Sequence, residues 1–100
     1  MQNKGGYVYI VSSSNKEALY TGVTSDLKGR ILKHKKKVFR TSFSAKYNCH
    51  HLAYYKRYPL IVEAISEEKR IKAGNRMQKI KLIHSINPEW KDLWDEVRHW

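Results

Sequence analysis

In residues 20–34, YTGVTSDLKGRILKH, an arginine and a histidine fall on the stripe of a helix that ought to face inward. The stretch opens with a β-type run, Leu19-Tyr20-Thr21-Gly22-Val23, and turns through Thr24-Ser25-Asp26, residues that cap helices well. The helix that follows repeats Leu27, Arg30, Ile31 and His34 at intervals of three and four, which places them on one face. A solvated basic face would put Arg30 and His34 opposite Leu27 and Ile31. Their position among the packing residues marks them as candidate functional groups.

The segments around this helix read as its surroundings. Tyr7-Val8-Tyr9-Ile10-Val11 is β-branched and aromatic, and so predicts a strand. Residues 12–17 form a polar loop, and residues 18–23 a second strand, antiparallel to the first. Pairing Val11 with Ala18 sets Tyr9 opposite Tyr20 and Tyr7 opposite Gly22. Tyr7, Tyr9, Tyr20 and Gly22 then share one face, and Val8, Ile10, Thr21 and Val23 the other. Tyrosines beside a glycine make a surface with a recess.

After the helix comes a basic run, Lys33, Lys35, Lys36 and Lys37, broken only by His34 and suited to a helix C-terminus. Residues 38–50, VFRTSFSAKYNCH, mix basic, hydroxyl and aromatic residues, as a phosphate-contacting loop would; Arg40 and Lys46 are its cations. Residues 51–58, HLAYYKRY, predict a third strand on which Leu52, Tyr54 and Lys56 alternate with Ala53, Tyr55 and Arg57. Pro59 suits the first turn of a helix over residues 60–72. In that helix Ile61, Ala64, Ile65, Glu68 and Ile71 form the inward stripe, while Glu63, Glu67 and Arg70 face water. Glu68 is thus a carboxylate set within an apolar face.

Gly74 stops this helix and Asn75 caps the next, residues 76–86, with Ile80, Ile83 and Met77 facing in. Asn87-Pro88 starts a fourth, its Trp90, Leu93, Trp94 and Val97 folding back on the core. The expected architecture is one α+β domain over residues 1–100, a three-stranded antiparallel sheet flanked by about four helices.

Charge narrows the function. Twenty Lys+Arg against nine Asp+Glu give a formal charge of +11, which points to a polyanion, above all nucleic acid. One cysteine, Cys49, allows no intrachain disulfide, and no Cys/His spacing suits a structural zinc site. The apolar run at residues 7–11 is too short for a signal peptide or a membrane span. A reducing, cytoplasmic setting without membrane association is the expectation.

The order of these features resembles the GIY-YIG nuclease superfamily, and most of all its small single-domain bacterial members. The resemblance runs from residue 7 to about residue 95. Tyr7-Val8-Tyr9 stands where the family writes Gly-Ile-Tyr, and Tyr20-Thr21-Gly22 where it writes Tyr-Ile-Gly. Residues 22–34, with Leu27, Arg30 and His34, match its helix signature. Ile65-Ser66-Glu67-Glu68-Lys69 is similar to the segment with the metal-binding glutamate, and helical phase selects Glu68 over Glu67. Two departures stand out: Tyr7 replaces the first glycine, and Gly74 lies where small members often carry tryptophan.

The resemblance implies phosphodiester hydrolysis assisted by one Mg²⁺ or Mn²⁺ on Glu68. It makes Tyr9 the general base and Arg30 the clamp on the scissile phosphate. Tyr20 positions water or phosphate, and His34 shuttles a proton or holds the nucleophile. Asp26 is expected to cap the helix and not to bind metal. The implied substrate is DNA ahead of RNA, cleaved with structural selectivity or with a protein partner supplying specificity. The competing readings are a non-catalytic module that holds a phosphate in the same pocket, and a small basic subunit of a larger complex.

Overall fold

The structure is a computed structural model and describes residues 5–36 and 47–100. Three strands, β1 (Gly6–Ser12), β2 (Leu19–Thr24) and β3 (His51–Tyr58), form an antiparallel sheet in the order β2-β1-β3. Among the described residues four helices flank it: α1 (Leu27–Lys35), α2 (Ile61–Ala73), α3 (Arg76–Ile86) and the single turn α4 (Trp94–Val97). This is the expected α+β architecture.

The central strand β1 divides the interior in two. Tyr9 and Val11 face a cluster with Leu27 and Ile31 of α1, Leu52 of β3, and Leu93 and Val97 of the C-terminal segment. Val8 and Ile10 face a second cluster with Ala64 and Ile71 of α2, Ile83 of α3, and Ala53 and Tyr54. The alternation of a strand buried on both faces puts helices on both sides of the sheet.

The β1–β2 register differs from the expected one. Val11 lies opposite Tyr20 and Tyr9 opposite Gly22, a shift of two residues. The loop is tighter than its composition suggests. Ser13 donates its N–H to the carbonyl of Ala18 and accepts the Ala18 N–H on Oγ, both at 3.0 Å, and Lys16 takes a left-handed φ of 66°. A shift of two leaves every side chain on its face, so Tyr7, Tyr9, Tyr20 and Gly22 still stand together.

On β3 the simple alternation fails. A bulge between the Ile10–Tyr54 and Val11–Leu52 pairs leaves Ala53 without an opposite residue. Leu52 and Tyr55 therefore share one cluster and Ala53 and Tyr54 the other, where alternation had paired Leu52 with Tyr54.

The caps explain the helix bounds. Asp26 caps α1, its Oδ1 accepting the Gly29 N–H at 3.1 Å. Asn75 and Gln78 form a reciprocal capping box on α3. Pro59 lies before the Leu60 cap of α2 and outside the first turn. Ile65 is 36 % exposed and Met77 58 %, so neither joins the core as expected.

Asn87 does not start a helix; it ends α3. Its N–H donates to the Ile83 carbonyl at 2.7 Å, and its buried amide binds three backbone groups: the Ala53 and Lys91 carbonyls (3.0 and 2.8 Å) and the Lys91 N–H (2.9 Å). Those bonds hold residues 88–92 as a turn, which confines the last helix to Trp94–Val97. Asn87→Ala leaves these buried groups unpaired and is expected to cost about 2–3 kcal/mol in denaturant unfolding. A variant as stable as the parent would show that the segment is held by something else.

Candidate active site

Tyr9 is the centre of the candidate site. Its side chain is fully buried, and its ring lies directly over Gly22 on the neighbouring strand. A β-carbon at position 22 would meet the ring's Cε1 at 2.8 Å and its hydroxyl closer still. Only a glycine lets the ring lie there, which is why a residue poor in strand propensity sits inside β2.

The hydroxyl that this packing buries is fully engaged. Tyr9 Oη lies 2.8 Å from Nε2 of His34, and Nη1 of Arg30 donates to it at 3.5 Å. Arg30 also donates to the Val23 carbonyl at 3.4 Å. Both partners come from α1, one turn apart, on the stripe beside Leu27 and Ile31. Tyr20 completes the group, with ring centroids 6.5 Å from Tyr9 and 5.5 Å from His34. The structure thus brings Tyr9, Tyr20, Arg30 and His34 together.

Protonation follows from burial. Burial pushes the Tyr9 phenol up to about 12, the nearby Arg30 opposing it and the Tyr20 and Glu68 charges adding to it. Burial, with the charge of Arg30, pulls His34 down to about 4. At neutral pH the phenol keeps its proton and the imidazole is neutral. With Arg30 donating to its oxygen, Tyr9 directs its own O–H at His34 Nε2, a donor meeting an acceptor.

Glu68 arrives from the other side of the sheet. It lies on α2 between Ala64 and Ile71, and only 8 % of it is exposed. Its Oε2 is bound by the Lys72 ammonium at 2.7 Å, and that ammonium lies 5.7 Å from the centroid of the Tyr20 ring. Because β2 is an edge strand, side chains of α2 reach round it to the tyrosine face. Lys72 was not among the residues singled out from sequence; its signal was the Glu-to-Lys spacing of four along a helix.

Glu67 is placed differently from expectation. It does not simply face water: Arg70 Nε donates to Oε1 at 2.9 Å and Arg70 Nη2 to Oε2. Its electrostatic neighbours include Lys56, and it bears on Tyr54, away from Tyr20.

The basic run divides. Lys33 and Lys36 are exposed. Lys35 binds Asp92 Oδ2 at 2.7 Å and the His50 carbonyl at 2.9 Å. Burial opposes the charge on Asp92, but Lys35 and the Trp94 and Leu52 amides outweigh it and hold the carboxyl below its ordinary range. Lys37, Arg40 and Lys46 lie outside the described residues.

The GIY-YIG catalytic domain family matches residues 5–81. The chain belongs to this family. Its relatives include UPF0213 proteins of Staphylococcus epidermidis and Staphylococcus aureus, each 36 % identical over 81 residues, covering 77 % of this chain and 92 % of theirs. No solved structure matches it. Family membership places the chain in a nuclease superfamily whose members typically use a divalent metal. It also makes nucleic acid the substrate class. Among the described residues no helix is long and apolar enough to cross a membrane.

The donor set fits a hard, largely hydrated divalent cation. Among the described residues no three His, Cys, Asp or Glu side chains cluster as a metal cage, and Asp26 is committed to its cap. Glu68 is a single buried carboxylate that already binds a cation, the Lys72 ammonium. One carboxylate with water and substrate oxygens is a normal environment for Mg²⁺.

The His34 pKa carries a pH signature. Because the folded value lies below the unfolded one near 6.5, the unfolded chain binds the proton first, and stability falls as pH drops from about 6.5 towards 4. By pH 5 this group alone is expected to remove about 2 kcal/mol. Urea unfolding at pH 7 and pH 5 should show that loss in the parent and a markedly smaller one in His34→Gln. Equal losses in both would place the acid sensitivity elsewhere.

Proposed function

We propose that this protein is a metal-dependent endonuclease that hydrolyses phosphodiester bonds in DNA. The observation that carries the reading is the convergence of Tyr9, Tyr20, Arg30 and His34 on one sheet face, with Glu68 reaching its edge. Hydrolysis needs a base for water, a cation for charge developing on phosphorus, and groups that hold the phosphate in line.

Arg30 supplies the fixed positive charge for the phosphate. Its 3.5 Å contact with Tyr9 is weak, and a phosphate oxygen is the better acceptor. As Arg30 turns to the phosphate, the Tyr9 oxygen loses a donor and becomes open to water. Tyr9 then accepts the proton of the attacking water while its own passes to His34 Nε2, 2.8 Å away. The neutral imidazole is the acceptor this relay needs. Tyr20, only half-buried, holds the water or a phosphate oxygen. A divalent ion, Mg²⁺ or Mn²⁺, would be held by Glu68 and would supply positive charge at the phosphate and the leaving oxygen.

The described residues form one small unit around a single sheet, which leaves little surface for reading sequence. Selectivity then comes from the shape of the DNA or from a protein partner. The exposed Lys33 and Lys36, with Lys37, Arg40 and Lys46, are the proposed contacts to the flanking backbone.

A second reading has its own observation. A phosphate-holding module gains nothing from a bare inward carboxylate, but Lys72 neutralises Glu68 and removes that objection. Cleavage and binding measured together decide between the two. With saturating Mn²⁺, on linear, branched and single-stranded DNA and RNA, Glu68→Ala is expected to lose at least about a hundredfold in rate while binding DNA as well as the parent or better. Arg30→Ala loses a similar factor and also binds more weakly. Glu67→Ala, whose carboxylate serves Arg70, keeps its rate. Parent protein that binds every substrate and cleaves none would establish the module instead.

Binding itself is expected to be electrostatic. Between about 50 and 200 mM salt, affinity for DNA should fall by at least a decade as phosphate counterions are released. A salt-independent affinity would remove the polyanion from the reading.

A further inference from the structure

Lys72 is placed with unusual care for a lysine on an exposed helix turn. An i,i+4 Glu–Lys pair on a solvated face adds little to helix stability and needs no further explanation. Here the carboxylate side is different. The Glu68 side chain is 10 % exposed, set between core residues, and a carboxylate so far out of water needs a positive partner. The Lys72 ammonium, 2.7 Å from Oε2, is such a partner. The same ammonium sits 5.7 Å over the Tyr20 ring, on the tyrosine side of the carboxylate, and half of its own side chain is in solvent. It can leave without unfolding anything.

We infer that Lys72 is the resident counter-cation of Glu68, and that a divalent ion binds by displacing it. This rests on the assignment of Glu68 as the metal ligand. An ammonium 2.7 Å from Oε2 and a metal ion on the same carboxylate share one negative charge and repel each other, so each weakens the other's hold. Metal binding is therefore an exchange of cations on one carboxylate. The fold keeps Glu68 paired when no metal is bound, and the site's metal affinity is lower than the bare carboxylate would have. Once displaced, the ammonium remains beside Tyr20 as a donor for the substrate's phosphate, so the charge is used in both states.

The test is a Mn²⁺ titration followed by the electron paramagnetic resonance of the free ion, with no nucleic acid present. Lys72→Met removes the competitor and is expected to bind Mn²⁺ roughly tenfold more tightly than the parent. Lys72→Arg grips the carboxylate with a two-pronged fork and is expected to bind Mn²⁺ several-fold more weakly. A residue that only stabilised the helix would not move metal affinity in opposite directions. Thermal unfolding gives a second reading: Lys72→Met has a lower melting temperature without Mn²⁺, and the ion raises it more than it raises the parent's. Should Lys72→Met not fold, the Lys72→Arg comparison still decides. Unchanged Mn²⁺ affinity in both variants, with binding abolished in Glu68→Ala, overturns the exchange and leaves the metal site standing. Parent and Glu68→Ala binding Mn²⁺ alike would remove the metal assignment, and the exchange with it.

Discussion

A phenol hydroxyl buried at the middle of a sheet is the demand that the rest of this structure meets. Left without partners, the Tyr9 hydroxyl would cost about 1–3 kcal/mol, a large share of what burial of its ring returns. The ring fits only because position 22 has no side chain. The hydroxyl is tolerable only because α1 delivers an imidazole and a guanidinium to it. Those two groups can be delivered together only if they sit one turn apart on the packing face of α1. The motif that appears in sequence as an arginine and a histidine misplaced among apolar residues is the solution to that single problem.

Much of this was legible in the chain because it depends on local period. Strand faces follow from alternation, and the error of two residues in the β1–β2 register did no harm, since a shift of two preserves every face. Helical phase and the spacing to Ile71-Lys72 separated Glu68 from Glu67, and the structure buries the first and ties the second to Arg70. The family resemblance agreed with the match over residues 5–81.

What local period cannot express was missed. The bulge at Ala53 sends Leu52 and Tyr54 into different cores, and no residue in HLAYYKRY announces it. Asn87-Pro88 has the form of a helix start, yet the Asn87 side chain is drawn to the Ala53 carbonyl, 34 residues away, and the chain turns instead. Lys35 looked like one cation among several in a basic run. Its partner, Asp92, is far off in sequence, so the pair exists only once the chain has folded. Each miss is a long-range contact that outweighed a sound local preference.

That last pair changes what it means for a residue to belong to the site. The final turn of a short helix tends to fray, and His34 stands in the final turn of α1. Asp92 holds the next residue, Lys35, from a segment that lies beyond the part of the chain matching the family. The Leu52 and Trp94 amides fix that carboxylate in turn, and Leu93 and Val97 join Leu27 and Ile31 in the core under the helix. The orientation of the imidazole on the phenol is therefore guarded by residues that carry no chemistry of their own. A substitution in this tail leaves Tyr9, Arg30 and His34 in the sequence and still loosens the hold on the imidazole that meets the phenol.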